Sequence, residues 1–521
     1  MRVVMLVQND WKHDSRVVRE AECLAHGGHV VDVICRRVID KSVIEQQNGV
    51  TYHCIPHEPR KRVVRLPALL RLHFRVMLLE TDGMGRIPET QGSLATWATV
   101  IALAGIGGLF VLLLSPLLAS FMIARVVVRQ VRRWLLVTRA WTKERFGPSS
   151  RAHVTFEAFY AFVLSTGRLV RRPARPVFSC VSYVTQPFSY LNDSAWACMV
   201  LILRLRPEVI HAHDLVTLSG AALAARSIGC RFVYDAHELE RHTNYWSLNR
   251  WTRYWIARYE TVLARRATAV ITVCDSIADW LAAEYGIRRP LVVLNAPTGA
   301  PPASSGVEVG QCIRGKLGLA DSTPLIAYVG SVTIDRGLDL CVRSLAYLPN
   351  AHFAAVGARY HVTEAEMVRV AAEIGVLDRL HFVDPVPSSQ VMAFMCGADC
   401  SVMAIQNVCL SYYFCFPNKL LESVLAGLPV AVANLPEMRA FVEKHGLGVI
   451  MDETNPRSIA EAIGTLLENR ERYRPSSAKI KEIEDQYGWR RQSEKLLDLY
   501  ANFSQTERSP RHEARVASGS G

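Results

Sequence analysis

FPNKLLESVLAGLPVAVA, from Phe416 to Ala433, opens as a helix and closes as a strand. Pro417 and Asn418 stand where a helix begins, Lys419 and Glu422 lie three residues apart on one of its faces, and Gly427-Leu428-Pro429 breaks it and leads into the apolar VAVA. A helix passing straight into a continuous apolar strand is one repeat of a parallel α/β sheet. The same alternation surrounds it: LIAYVG (325–330), HFAAVG (352–357), LHFVD (380–384), CSVMAI (400–405) and LGVIM (447–451) are each followed by helical or loop sequence.

Further upstream the pattern recurs. RVVMLV (2–7), a helix-like segment near 15–26 and HVVDVI (29–34) form a βαβ opening. It resumes after residue 205 with PEVIHAHD (207–214), an Ala-rich helix, CRFVYDAHE (230–238), a helix near 251–266 and TAVITVC (268–274). The Pro/Gly/Ser-rich segment APTGAPPASSGVEVG (296–310) reads as a linker, and the polar residues from Gln505 onward as a disordered tail. The expectation is an α/β protein of two Rossmann-like halves. The first spans 1–297, with an insertion over 58–175; a 298–312 linker leads to the second, 313–485. A C-terminal helix, 486–503, and a tail, 504–521, complete the chain.

A chain of 521 residues, half of them apolar, can bury more than one core. Its thirteen cysteines show no CxxC pair and no regular His/Cys spacing, which argues against zinc ribbons and disulfide frameworks and suits a reducing compartment. The N-terminus lacks the features of a signal peptide. The formal charge of +12 is concentrated: residues 58–175 hold nineteen Lys/Arg against six Asp/Glu, and the rest of the chain is nearly neutral. No aromatic-interleaved basic motif accompanies the excess, so an anionic lipid surface is a better partner for it than nucleic acid.

Together, 416–433 and AYVGSVTIDRGLD (327–339) resemble the nucleotide-sugar half of GT-B glycosyltransferases, closest to the large retaining family four in its Pro-x-Lys-x-x-Glu version. The resemblance covers most of 1–40 and 205–500 in motif order and spacing, and leaves the insertion unexplained. A nucleotide-sugar carries a diphosphate, which needs cations and backbone N–H donors. Gly330, Ser331, Arg336 and Gly337 in a strand-to-helix loop, with Asn418 and Lys419 at a helix start, can supply both. Glu422 can accept from two ribose hydroxyls, the role of the matching family glutamate. Taken singly, each has a plainer reading: a turn glycine, a solvated arginine, a surface Lys/Glu pair. Their conjunction with GLPV at the family offset favours the site. One departure stands out, because Phe414 occupies the position, eight before Glu422, where the family commonly has a further glutamate near the transferred sugar.

In the first half, His237 follows RFVYDA at the place where GT-B enzymes carry a cleft histidine. There it would hydrogen-bond the sugar or help a proton leave the acceptor hydroxyl. His237 and Glu422 are the candidate catalytic residues. Asp14, Arg16, His213, Asp214 and Glu238 also sit past strand ends, where open parallel sheets bind ligands, and form the acceptor side. Asp14 serves equally as a helix N-cap. His211 and His213 in HAHD could hold a metal but lack further Cys/His partners, and no Asp-x-Asp follows a strand. Transfer without a metal is expected, with a nucleotide-diphosphate-sugar as co-substrate and no other cofactor.

The segment LATWATVIALAGIGGLFVLLLSPLLASFMIA, 94–124, has no charge in 31 residues, more than the roughly 20 of one spanning helix and fewer than the roughly 40 of two. Strands before and after it belong to one sheet, so both must lie on the same side of a membrane. A re-entrant helical hairpin broken at Gly105, Gly107, Gly108 or Ser115-Pro116 satisfies that, as does a second returning pass. Arginines on either side, among them Arg71, Arg75, Arg125 and Arg129, suit a cytoplasmic leaflet. The alternative is a hydrophobic hairpin buried inside an enlarged first half. The expected protein is thus a membrane-associated glycosyltransferase with its catalytic halves in the cytoplasm, acting on a lipid-linked or glycan acceptor. A catalytically inactive membrane scaffold of the same fold is the second reading, motivated by Phe414.

Overall fold

The computed structural model describes residues 1–39, 41–56, 197–245, 248–299 and 312–506, together with 186, 187, 190, 191 and 193–195. The insertion expected over 58–175 with its apolar core 94–124, most of the 298–312 linker and the tail beyond 506 lie outside the described residues. Among the described residues no helix is long and apolar enough to cross a membrane.

Eight strands build the first sheet: β1 (Arg2–Leu6), β2 (Val30–Arg37), β3 (Val43–Gln47), β4 (Val50–Pro56), β5 (Val209–His213), β6 (Arg231–Ala236), β7 (Ala269–Thr272) and β8 (Leu291–Val292). Their order is β3-β4-β2-β1-β5-β6-β7-β8, parallel except for β3. β1 and β5 are neighbours, with Val4 opposite Ile210, so the chain on the two sides of the insertion does form one sheet. Both faces of these strands are covered, which is why they read as unbroken apolar runs. The β3–β4 hairpin was not anticipated. Its turn is Asn48-Gly49, both at positive φ (49° and 78°), the backbone that a two-residue hairpin requires.

The second sheet holds β9 (Leu325–Val329), β10 (His352–Val356), β11 (Leu380–Val383), β12 (Cys400–Met403), β13 (Val430–Ala433) and β14 (Gly448–Met451), all parallel, in the order β11-β10-β9-β12-β13-β14. Residues 416–433 fold as helix Asn418–Leu425 followed by β13. Each sheet has one point where the strand order reverses, at β1/β5 and at β9/β12, and there the loops beyond the carboxyl ends part and leave a crevice.

The chain ends by crossing back. Helix Ser477–Tyr487 places Ile483 in the core of the second sheet, whereas helix Trp489–Thr506 places Leu496, Tyr500 and Phe503 in the core of the first. Each of those three large side chains contributes about 2 kcal/mol of apolar burial. The last helix lies so close to helix Ser15–His26 that a Cβ on Gly27 would stand 2.5 Å from Leu497. The Tyr500 hydroxyl reaches His211 Nδ1 beneath the sheet at 2.9 Å.

Candidate active site

A cavity of about 620 Å³ opens where the carboxyl ends of the two sheets face each other. On the second-sheet side, its floor is glycine because nothing larger fits. Gly330, just after β9, has φ 129°, and a Cβ there would press on Lys419 Nζ at 3.0 Å; Gly357, just after β10, has φ 146°, and its Cβ would stand 2.1 Å from the Gly330 carbonyl oxygen. Two adjacent strand ends thus bring bare backbone against the cavity, the surface a diphosphate requires. Gly337 is also at positive φ, and a Cβ there would strike the Ala404 carbonyl at 2.3 Å.

Arg336 and Lys419 supply the positive charge. Arg336 borders the cavity with its guanidinium 4.7 Å above the Tyr412 ring, and among the described residues it forms no ion pair. Its loop is fastened from the first half by Asn244, whose side-chain amide donates to the Asp335 carboxylate at 2.6 Å. Lys419 stands in the first turn of helix Asn418–Leu425 and donates from Nζ to the Tyr328 hydroxyl at 2.8 Å. Burial, reinforced by Arg336, pushes its ammonium down to about 7. Glu422, one turn on, borders the same cavity. Burial raises its carboxyl above the ordinary value against the pull of Arg19 and Lys419, and among the described residues that carboxyl accepts no hydrogen bond. Arg19, on helix Ser15–His26, escaped the sequence reading, although it lies one turn after Arg16. Its guanidinium contacts the Asn295 side chain and lies 5.6 Å over the Trp489 ring.

The first-sheet side of the cavity is organised around Asp235. Arg16 grips its carboxylate with two N–H groups, both at 2.9 Å, places Nε 3.0 Å from Glu20, and donates to the Val293 carbonyl at 2.7 Å. Arg16, Glu20 and Asp235 are all at most 2% exposed. Burial opposes the charge on Asp235, yet Arg16 and His237 outweigh it and hold the carboxyl well below its usual range. Asp235 Oδ2 lies 3.2 Å from His237 Nε2 and 3.2 Å from His213 Nδ1. The other nitrogen of His237, Nδ1, is 3.2 Å from Asp214, which takes a left-handed backbone (φ 61°) to get there. Burial works against a charge on His237, but the two carboxylates prevail and push it up to about 10. His213 has Asp235 alone, and burial, reinforced by His211, pushes it down to about 3, so it stays neutral.

This geometry corrects two expectations. His237 is an imidazolium at neutral pH, so it cannot accept a proton from an acceptor hydroxyl; its chemistry is that of a fixed cation and donor. His213 does not face an acceptor, because it is fully buried behind His237. Arg16 borders the cavity but spends its guanidinium on the buried acids, so it positions other groups. Glu20, His211, His213 and Asp235 place one donor atom each within 4.8 Å of the others, a grouping that could enclose an ion. Arg16 already bridges both carboxylates there, and its positive charge opposes a metal ion in the same place.

The remaining expected residues fall as follows. Asp14 accepts from Val17 N as N-cap at 3.2 Å and also borders the cavity. Glu238 borders it too and accepts from the Tyr245 hydroxyl at 2.9 Å; Asp214 reaches it only through His237. Ser331 and Asn418 line it beside Gly330 and Lys419. Phe414 turns away, its ring packed on the core of the first sheet and its carbonyl accepting from Cys274 Sγ at 3.1 Å. Three residues earlier, Ser411 Oγ accepts from Leu239 N at 3.3 Å. The segment that the family uses near the sugar here helps to join the halves.

Two facing parallel sheets with a cationic, glycine-floored crevice between their carboxyl ends define a GT-B glycosyltransferase that uses a nucleotide-sugar. The sequence narrows the class: residues 157–296 match the profile described as Glycosyltransferase Family 4 and residues 311–483 that described as Glycosyl transferases group 1, so the chain belongs to the family-four glycosyltransferases. The D-inositol 3-phosphate glycosyltransferase of Xylanimonas cellulosilytica is 29% identical over 315 residues, 58% of this chain and 73% of that one. The 2-deoxystreptamine glucosyltransferase of Streptomyces kanamyceticus is 27% identical over 257 residues, 47% of this chain and 64% of that one, which is under two thirds of that relative. Among solved structures, the sucrose-phosphate synthase from Thermosynechococcus elongatus aligns with a TM-score of 0.62 at 13% identity, over 97% of this chain and 100% of that one. A glycosyltransferase from Rickettsia africae aligns with a TM-score of 0.55 at 10% identity, over 96% and 98%. At such identities the likeness is one of fold.

Proposed function

We propose that the protein transfers a sugar, with retention and without a metal, from a nucleotide-sugar to a hydroxyl of a lipid-linked or glycan acceptor at the cytoplasmic face of a membrane. The observation that carries the transfer is the convergence on one cavity of the Gly330/Gly357 floor, Arg336, Lys419, the start of helix Asn418–Leu425 and Glu422. In this reading the bond from the anomeric carbon to the phosphate oxygen breaks, and the acceptor oxygen takes its place on that carbon. Arg336, Lys419 and the helix N-terminus stabilise the charge that collects on the departing diphosphate. The acceptor's proton passes to that diphosphate, because the cationic His237 cannot take it. His237, held by Asp235 and Asp214, instead hydrogen-bonds a hydroxyl of the donor sugar. Glu422 binds the ribose hydroxyls.

The adjacency of β1 and β5 constrains the membrane part, since an insertion that leaves and rejoins one sheet must return to the side it left. With Leu94–Ala124 deleted, the protein should leave the membrane fraction; if it still pellets there, that segment is not the anchor. The transfer is tested first by thermal shift against UDP, GDP, ADP, dTDP and CMP, because a ligand of the folded state raises the melting temperature. A shift with one nucleotide that disappears in Glu422→Ala sustains the site. No shift with any nucleotide or full nucleotide-sugar would move the assignment to the inactive scaffold.

A further inference from the structure

Beside the main cavity lies a second recess of about 570 Å³. Two chain segments connect them. His237 and Glu238 border the cavity and Arg241 to Asn244 the recess, while Ser411 and Tyr412 border the cavity and Val408 to Leu410 the recess. A molecule in the recess can therefore extend a group toward the reacting sugar. Among the described residues, the charged side chains lining the recess are all basic, namely Arg241, Arg250 and Arg253.

These arginines are not equivalent. Arg241 is paired with Glu284 at 2.7 Å. Arg253 donates to the carbonyls of Arg241, Thr243 and Tyr245 at 3.2, 3.1 and 3.0 Å, which fixes its guanidinium in place, and among the described residues it forms no ion pair. Arg250, one turn earlier on helix Arg250–Ala264, is exposed and forms no ion pair among the described residues. Two uncompensated guanidinium groups three residues apart on a helix are spaced to share one tetrahedral, multiply charged anion. On the same helix Tyr254 is 55% exposed and stacks with Trp251 at 6.0 Å, an apolar shoulder next to the charge.

We propose that this recess binds a phosphate or diphosphate carried by the acceptor and thereby presents the acceptor hydroxyl to the cavity. The assignment rests on the transferase reading above. Its chemistry is common to a soluble phosphorylated acceptor and to one mounted on a lipid diphosphate.

The test titrates inorganic pyrophosphate into the full-length protein already saturated with the nucleotide found by thermal shift, so that the main cavity is occupied. One further site is expected, weakened about ten-fold or more in Arg250→Glu, since a charge-assisted contact contributes about 1.5–3 kcal/mol. Nucleotide affinity should be unchanged in that variant. Absence of a second site, or a second site indifferent to Arg250→Glu, overturns the proposal. If no nucleotide binds, the transferase reading fails, while pyrophosphate binding that still depends on Arg250 would sustain the recess on its own. Repeating the titration with farnesyl diphosphate separates the sources: tighter binding by about ten-fold assigns a lipid-carried diphosphate to the recess, and near equality assigns a soluble one.

Discussion

Donor binding should take up a proton, and Lys419 is where the proton should go. In the empty cavity, burial and Arg336 hold the Lys419 ammonium down at about 7. A bound diphosphate sets negative charge beside it and restores its ordinary high pKa. The bound value exceeds the free one, so binding is favoured at low pH and weakens as pH rises through 7. About half of the empty protein must gain a proton at pH 7, and about nine-tenths at pH 8. Between pH 7 and pH 9 the protonated fraction of the empty form falls from about one half to about one hundredth, so affinity for the nucleotide-sugar should fall about fifty-fold. A nucleotide-sugar is the right ligand for this, because its phosphates do not titrate near neutrality as a free nucleotide's terminal phosphate does. Calorimetric titration at pH 8 in buffers of different ionisation enthalpy reads the proton number directly. The wild type should take up about 0.9 of a proton, and Lys419→Met and Lys419→Arg close to none. Zero uptake by the wild type, or equal uptake by Lys419→Met, would refute the reasoning.

Three further predictions follow from the same geometry. Gly357→Ala drives a methyl group onto the Gly330 carbonyl and should cost about 1–3 kcal/mol in urea unfolding while abolishing nucleotide binding; unaltered binding would remove these glycines from the diphosphate site. Arg16→Met and Asp235→Ala each strand a buried charge and should each cost about 3–5 kcal/mol, with the double variant costing less than their sum; single losses below about 1 kcal/mol would show that the pair is not structurally coupled. The folded-state pKa of His237, about 10, lies above its ordinary 6.5, so the stability it contributes is complete below about pH 6.5 and is lost as pH rises through 10. His237→Gln should therefore melt below wild type at pH 6 and approach it at pH 10, whereas a constant gap would contradict the imidazolium assignment.

Much of the fold was legible because parallel strands covered on both faces must be continuously apolar, and RVVML, VIHAH, LIAYV and VAVA carry that signal without ambiguity. The β3–β4 hairpin was missed because its outer strand, VIEQQ, is edge-exposed and mostly polar, although Asn48-Gly49 announced the turn. Arg336, Lys419, Glu422 and His237, expected from motif and strand-end position, do border one cavity. What spacing could not show was which polar groups face one another across 219 residues. Arg16 and Asp235 look like two surface charges in the sequence yet pair in the core, and it is Asp214, facing His237 but not His213, that leaves the first charged and the second neutral. Phe414 illustrates the same limit. The sequence registers a lost glutamate, and the structure shows an aromatic ring joining the two halves.

The crossing of the last helix also sets a schedule for synthesis. The first sheet is complete in sequence at Val292, yet Leu496, Tyr500 and Phe503, which fill its core, are translated some 200 residues later. At about 5–20 residues per second, the nascent first half waits about 10–40 s with that apolar groove uncovered. During this interval the uncharged 94–124 segment has already left the ribosome. A growing chain in that state offers chaperones two apolar surfaces at once. Ribosomes stalled before residue 489 should therefore carry more bound trigger-type chaperone than those stalled beyond residue 506 with the helix clear of the exit tunnel.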